Sequence, residues 1–206
     1  MKKITLLIVS AFLVLSVVQA QEKEEFNTIL GSVESYGAYG SFSLGYAQIN
    51  SRDAFVGGGQ AALILNHSLA VGVAGKGFIN EYHYDDNLLD NVNLQGGYGG
   101  LLIEPILGAQ QAVHFSFPIV IGAGGIIHAD KIYDYHHDYY YEDYINDSDI
   151  FFVVEPGAEV EFNMFKFFRL SMGAFYRYTS NVDLYDTPDN VLHGFSFLAT
   201  FKFGKF

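Results

Sequence analysis

The chain has no cysteine and no tryptophan, only four prolines, and 11 basic residues against 23 acidic ones. Without cysteine there are no disulfides, no thiol chemistry and no lipid-anchored lipoprotein. A formal net charge of −12 excludes nucleic acid as a partner, because phosphate binding needs a basic face. Beyond residue 20 no apolar run approaches the roughly 20 residues that a membrane helix needs. What remains is rich in 22 glycines, 19 phenylalanines and 15 tyrosines, a composition that favours strands over helices.

The first residues, MKKITLLIVSAFLVLSVVQA, set Lys2 and Lys3 before an apolar run from Ile4 to Val18. The run is short for a membrane span, and Val18-Gln19-Ala20 has the small-residue pattern of a cleavage site. We expect residues 1–20 to be a removed export signal. Residues 21–32 (QEKEEFNTILGS) are read as a flexible lead-in, and 33–206 as one domain.

From there period-two alternation dominates. It predicts eight strands: 34–49, 53–65, 68–82, 91–106, 112–127, 150–162, 166–179 and 191–203. The last is the clearest. Phe195, Phe197, Ala199, Phe201 and Phe203 share one face, opposite Gly194, Ser196, Leu198, Thr200 and Lys202. The sixth sets Ile150, Phe152, Val154 and Val160 against Glu155, Gly157, Glu159 and Glu161, and the seventh sets Phe168, Leu170, Met172 and Tyr176 against Arg169, Ser171, Gly173 and Arg177. In the fourth strand Glu104 interrupts the better apolar face.

The connections alternate in character. Asn66-His67, 108–111 and 163–165 are tight, whereas 83–90, 128–149 and 180–190 are long, polar and acidic. An up-and-down antiparallel sheet places every second connection at one end, so one end is trim and the other carries acidic loops. That is the asymmetry of an outer-membrane barrel. Closure also removes sheet edges, which hydrocarbon does not tolerate. A soluble lipocalin-like binder is the rival. It would expose its polar face to water, yet that face is mostly Gly, Ser, Ala and Thr with sparse charges, which suits a narrow lumen. The expected fold is therefore all-β: an eight-stranded antiparallel up-and-down transmembrane barrel. With a three-residue turn at 163–165, Glu159 would lie directly across from Arg169. Glu155, Glu159, Glu161, Arg169, Arg177 and Lys76 are expected to form a lumen charge network.

The final GFSFLATFKFGKF is an alternating aromatic strand ending at Phe206. It resembles the C-terminal signal by which outer-membrane barrels are recognised for assembly, with Phe201, Phe203 and Phe206 as its aromatic positions. With the export signal and the loop asymmetry, residues 33–206 resemble the small eight-stranded barrels of the OmpA transmembrane-domain and OmpX type. VEPGAEVEFNMFKFFRLSMGAFYRY resembles uncharacterised barrels of Bacteroidetes-type bacteria. The resemblance implies the outer membrane, with lipid, lipopolysaccharide and the barrel assembly machinery as partners. It implies no cofactor and no particular activity.

Three stretches invite chemistry. YDYHHDYYYEDY at 133–144 sits in the longest external loop. His128, His136, His137, Asp138, Glu142 and Asp143 are its ligand or metal candidates, and its carboxylates could hold divalent cations loosely. The spacing fits no metal motif, so no resident metal is expected. Pro105, Pro118 and Pro156 fall inside expected strands, where each removes a ladder donor. Pro118 and Pro156 lie on neighbouring strands and could weaken one lateral seam. Gly96-Gly97-Tyr98-Gly99-Gly100 lacks the helix and lysine of a phosphate loop and is read as room for strand coiling or a bulky neighbour. The functional expectation is a structural or surface-interaction barrel without catalysis. The alternatives are a lipid-modifying enzyme using rim residues such as His128 and His136, a transporter of small apolar solutes gated near Pro118 and Pro156, and the soluble binder.

Overall fold

The computed structural model describes residues 33–85, 90–130, 147–184 and 187–206. The expected export signal and lead-in lie outside the described residues. So do His136, His137, Asp138, Glu142 and Asp143.

Among the described residues, ten strand segments build one closed sheet. They are β1 (Tyr36–Ile49), β2 (Arg52–Leu65), β3 (Leu69–Asn80), β4 (His83–Asp85), β5 (Asp90–Leu107), β6 (Val113–Ser116), β7 (Ile119–Asp130), β8 (Ser148–Phe165), β9 (Phe168–Thr179) and β10 (Gly194–Lys205). β4 pairs with β5, beyond the end of β3. β6 and β7 both pair with β5 and β8, so they are two halves of one stave. The result is an antiparallel ring of 8 staves, closed where β1 pairs with β10.

Alternation sets which side chains face out. Phe195, Phe197, Phe203, Phe152, Ile150, Leu101 and Leu63 are exposed on the outer wall, while Glu155, Glu159, Glu161, Arg169, Arg177 and Lys202 are buried inside. Apolar side chains facing outward, with charges along the axis, suit a barrel whose lateral solvent is hydrocarbon. Aromatic pairs gather toward both ends of the wall. Phe42 stacks on Phe201 and Phe168 on Phe203, each at 4.9 Å, near the trim end. Tyr176 meets Phe195 edge-on at 4.9 Å near the other.

Two expectations about the connections change. The trim turn after β8 is Lys166-Phe167, not 163–165, and a bulge between Asn163 and Phe165 shifts the register. Alternation continues past Asn163, so composition does not mark the turn. The seventh connection (residues 180–193) is not merely a solvated acidic loop. Val182, Leu184, Val191 and Leu192 are buried against Ile49, Val56, Phe78, Leu94, Ile126, Phe151 and Val153 in one apolar cluster. They close the outer mouth of the barrel. The inner face is therefore bulkier than its glycines, serines and alanines suggested. Some of those glycines exist to admit the bulk: a Cβ on Gly96 would stand 2.8 Å from the ring of Phe78, and one on Gly124 the same distance from that of Phe151.

Candidate functional site in the lumen and at the outer rim

The inner half of the lumen is organised by Lys202, on β10. Its Nζ is held by Glu104 of β5 and by Glu159 and Glu161 of β8, with 2.9 Å to Glu159 Oε2. Burying a lysine costs several kcal/mol unless anions replace its water, and three carboxylates do so here. The carboxylates are in turn satisfied. Ser116 Oγ donates to Glu161 Oε1 at 2.9 Å, Thr200 Oγ1 donates to Glu159 Oε1 at 3.3 Å, and the Tyr39 hydroxyl donates to Glu104. His114 Nε2 lies 2.8 Å from Glu161 Oε2. Arg169 reaches Glu161 at 3.4 Å, donates to the Ala109 carbonyl at 3.3 Å, and lays its guanidinium over the Phe206 ring at 4.0 Å.

A second group sits nearer the outer mouth. Lys76 of β3 pairs with Glu155 of β8, which also accepts from the Tyr98 hydroxyl at 2.5 Å. Lys76 lies 3.9 Å over the Phe175 ring. Among the described residues no carboxylate accepts a hydrogen bond from Arg177. It packs over Phe78 and donates Nε to the Leu192 carbonyl at 2.7 Å, which ties β9 to the segment closing the mouth. Among the described residues, buried Glu104, Glu155, Glu159 and Glu161 face buried Lys76, Arg169, Arg177 and Lys202, so these charges balance.

The structure thus places all six expected lumen charges inside, but pairs them differently. Register sets Arg169 opposite Asn163 and Glu159 opposite Gly173, so Arg169 meets Glu161 and not Glu159. The centre of the inner cluster, Lys202 with Glu104, was missing from the expected network. Both had a signal in the sequence. Lys202 alternates onto the inner face, and Glu104 was the charge that broke a strand's apolar face. The oxygens of Glu104, Glu159 and Glu161 lie within 4.8 Å of one another, close enough to hold a metal ion. The ammonium of Lys202 already stands among them.

The prolines do not share a seam. The residue pairing is the same on both sides of Pro118, so the gap between β6 and β7 is not a bulge. In an antiparallel strand a residue's N–H and C=O point to the same neighbour. The Pro118 carbonyl accepts from Gly157 N at 2.8 Å, so its missing donor faces β8. Gly157 turns its own N–H that way, so Pro156, one residue earlier, faces β9. There the ladder skips from Val154↔Tyr178 to Gly157↔Phe175. The third proline, Pro105, accepts from Phe117 N at 2.9 Å and faces the broken stave from the other side.

His128 lies near the outer end of strand β7, facing the lumen, and not in a loop. It is buried, and its Nε2 lies 3.4 Å from Thr187 Oγ1. Of the expected assembly positions, Phe203 faces outward, whereas Phe206 turns back to stack on Tyr39 at 6.1 Å.

No protein-family model matches the chain, and no curated protein does. Solved structures do. Neisserial surface protein A superposes with a TM-score of 0.56 at 11% identity, over 83% of this chain and 97% of that one. The fold is that of a small outer-membrane barrel. The N-terminal barrel domain of Pseudomonas aeruginosa OprF matches with a TM-score of 0.43 at 12% identity, over 82% of this chain and 96% of that one. The attachment invasion locus protein Ail of Yersinia pestis matches at 0.37 and 11%, over 82% and 94%.

Proposed function

We propose that this chain is an integral outer-membrane barrel whose role is structural or surface-interactive, without transport or catalysis. The observation that carries this reading is a lumen filled at two levels. The outer mouth is packed with Val182, Leu184, Val191 and Leu192, and the inner half with the Lys202 cluster. A barrel of about eight strands has an interior just wide enough for side chains to fill or for one small ligand, and here side chains take it. The buried carboxylates are neutralised by cations rather than aimed at a cavity, which argues against general acid–base work. Beside Pro118, Ser116 bonds the Glu159 and Glu161 carboxylates and Val120 belongs to a buried apolar cluster, so a lateral gate there would open onto packed side chains. What is left for partners is the outside: the aromatic wall against lipid and lipopolysaccharide, and the outer rim against other surfaces. Divalent cations at the acidic rim would join it to anionic lipopolysaccharide.

The reading is tested with cells that display the barrel and cells that lack it. Loss of adherence to a foreign surface, or increased leakage through the envelope, is expected when it is absent. Unchanged adherence and leakage, with uptake of a small solute lost, would favour transport.

A further inference from the structure

A groove of about 630 Å³ opens on the outer wall at the external rim, between β1 and β10 and under residues 188–193. It exists because the two strands part early. The β1–β10 ladder ends at Ala47↔Ser196, while β1 stays paired with β2 as far as Ile49↔Arg52. The volume lies within the range of small-ligand sites, roughly 300–1,000 Å³. Tyr46, Phe195 and Phe197 form the wall, and Tyr46 stands directly across from Phe197. Gln48, Asn190 and His193 line it beside these rings. His193 is fixed by Nε2, which donates to the Thr179 carbonyl at 2.9 Å, and by its ring packed on Tyr178 at 4.6 Å. In the neutral imidazole that bond leaves Nδ1 as the acceptor.

Among the described residues the lining of this groove contains no Lys, Arg, Asp or Glu; the Asp53 carboxylate beside it is engaged by the Tyr46 hydroxyl at 2.6 Å. That selects the ligand. A phosphate or sulfate needs cations, and a metal ion needs carboxylates or several imidazoles. A bare hydrocarbon chain would leave the two amides facing apolar surface unsatisfied. A ligand with an apolar face and uncharged hydroxyls satisfies both the rings and the amides. We infer that this groove binds an uncharged saccharide, stacked on Tyr46, Phe195 and Phe197 and hydrogen-bonded by Gln48, Asn190 and His193. The inference rests on the surface-interaction reading and names its partner class. The sugar can come from a glycolipid of the same leaflet or from an oligosaccharide on another surface.

The test uses the full chain folded in phosphatidylcholine nanodiscs, observed by backbone amide shifts. Two probes separate the sources: soluble neutral oligosaccharides of glucose, galactose, mannose and N-acetylglucosamine, and nanodiscs doped with monogalactosyl diacylglycerol. At least one probe is expected to shift residues 46–48 and 193–197. Phe197→Ala and Gln48→Ala should weaken that binding by about tenfold or more, and Phe197→Tyr should restore it. Sucrose octasulfate should not compete. Response to the glycolipid alone assigns the leaflet, and response to soluble sugar assigns a second surface. The absence of a shift with any neutral saccharide overturns the proposal, as does a Phe197→Ala barrel that folds and binds like the parent. Where soluble sugar is the responding probe, cells that adhere through the barrel yet are indifferent to both substitutions would sink the second-surface assignment while leaving the surface reading intact.

Discussion

At the scale of the residue, Lys202 carries the most consequence. It is one buried ammonium among three carboxylates. Lys202→Met keeps the bulk of the side chain and removes the charge. Leaving buried carboxylates without their cation costs about 3–5 kcal/mol, which urea unfolding in lipid vesicles would read. Lys202→Met combined with Glu161→Gln should recover part of the loss. Equal stability of Lys202→Met and the parent would mean that the cluster contributes only shape.

A second residue governs pH. Asp149, at the outer end of β8, accepts from Asp183 N of the seventh connection at 2.8 Å and from Ile150 N at 2.7 Å. The bond from Asp183 and then that from Ile150 hold its carboxyl below the usual carboxylate range. A depressed folded value means that the anchoring is complete above the ordinary range and is lost as pH falls through the depressed one. The protection factor of the Asp183 amide should therefore drop on acidification through that window, and Asp149→Asn should abolish the dependence. A pH-independent protection factor in the parent would show that the carboxylate does not anchor the segment.

At the scale of the element, the broken stave of β6 and β7 has a chemical cause. Pro118 has no donor to offer Gly157, and its carbonyl is left to make the only bond there. Pro118→Ala should add about 1 kcal/mol of stability from the restored hydrogen bond and slow exchange between β7 and β8. Pro156→Ala should act instead on the β8–β9 ladder, because its missing donor points the other way. If both substitutions slowed the same seam, the assignment of directions would be wrong. The staves themselves were legible in the sequence, because a strand in a closed wall shows its two solvents as strict alternation. The turn at Lys166-Phe167 was not, because the bulge at Asn163–Phe165 lets the pattern continue into it.

At the scale of the whole molecule, the barrel is closed twice. Removing residues 188–192 opens the outer mouth but leaves the Lys202 cluster in place, so planar bilayers should show no steady conductance for that deletion. Adding Lys202→Met with Glu161→Gln should be needed before ions pass. Conductance from the first deletion alone would place the whole barrier at the mouth.

By itself the sequence determined that the chain is a ring of strands with an apolar outside, an alternating interior and one loop-bearing end. Those properties are local, repeated every second residue, and legible without knowing any partner. Only the tertiary structure decided that Lys202 stands among Glu104, Glu159 and Glu161, that Arg169 meets Glu161, and that Val182 and Leu192 turn inward to seal the mouth. Such pairings depend on register between strands far apart in the chain, and one bulge moves every partner beyond it.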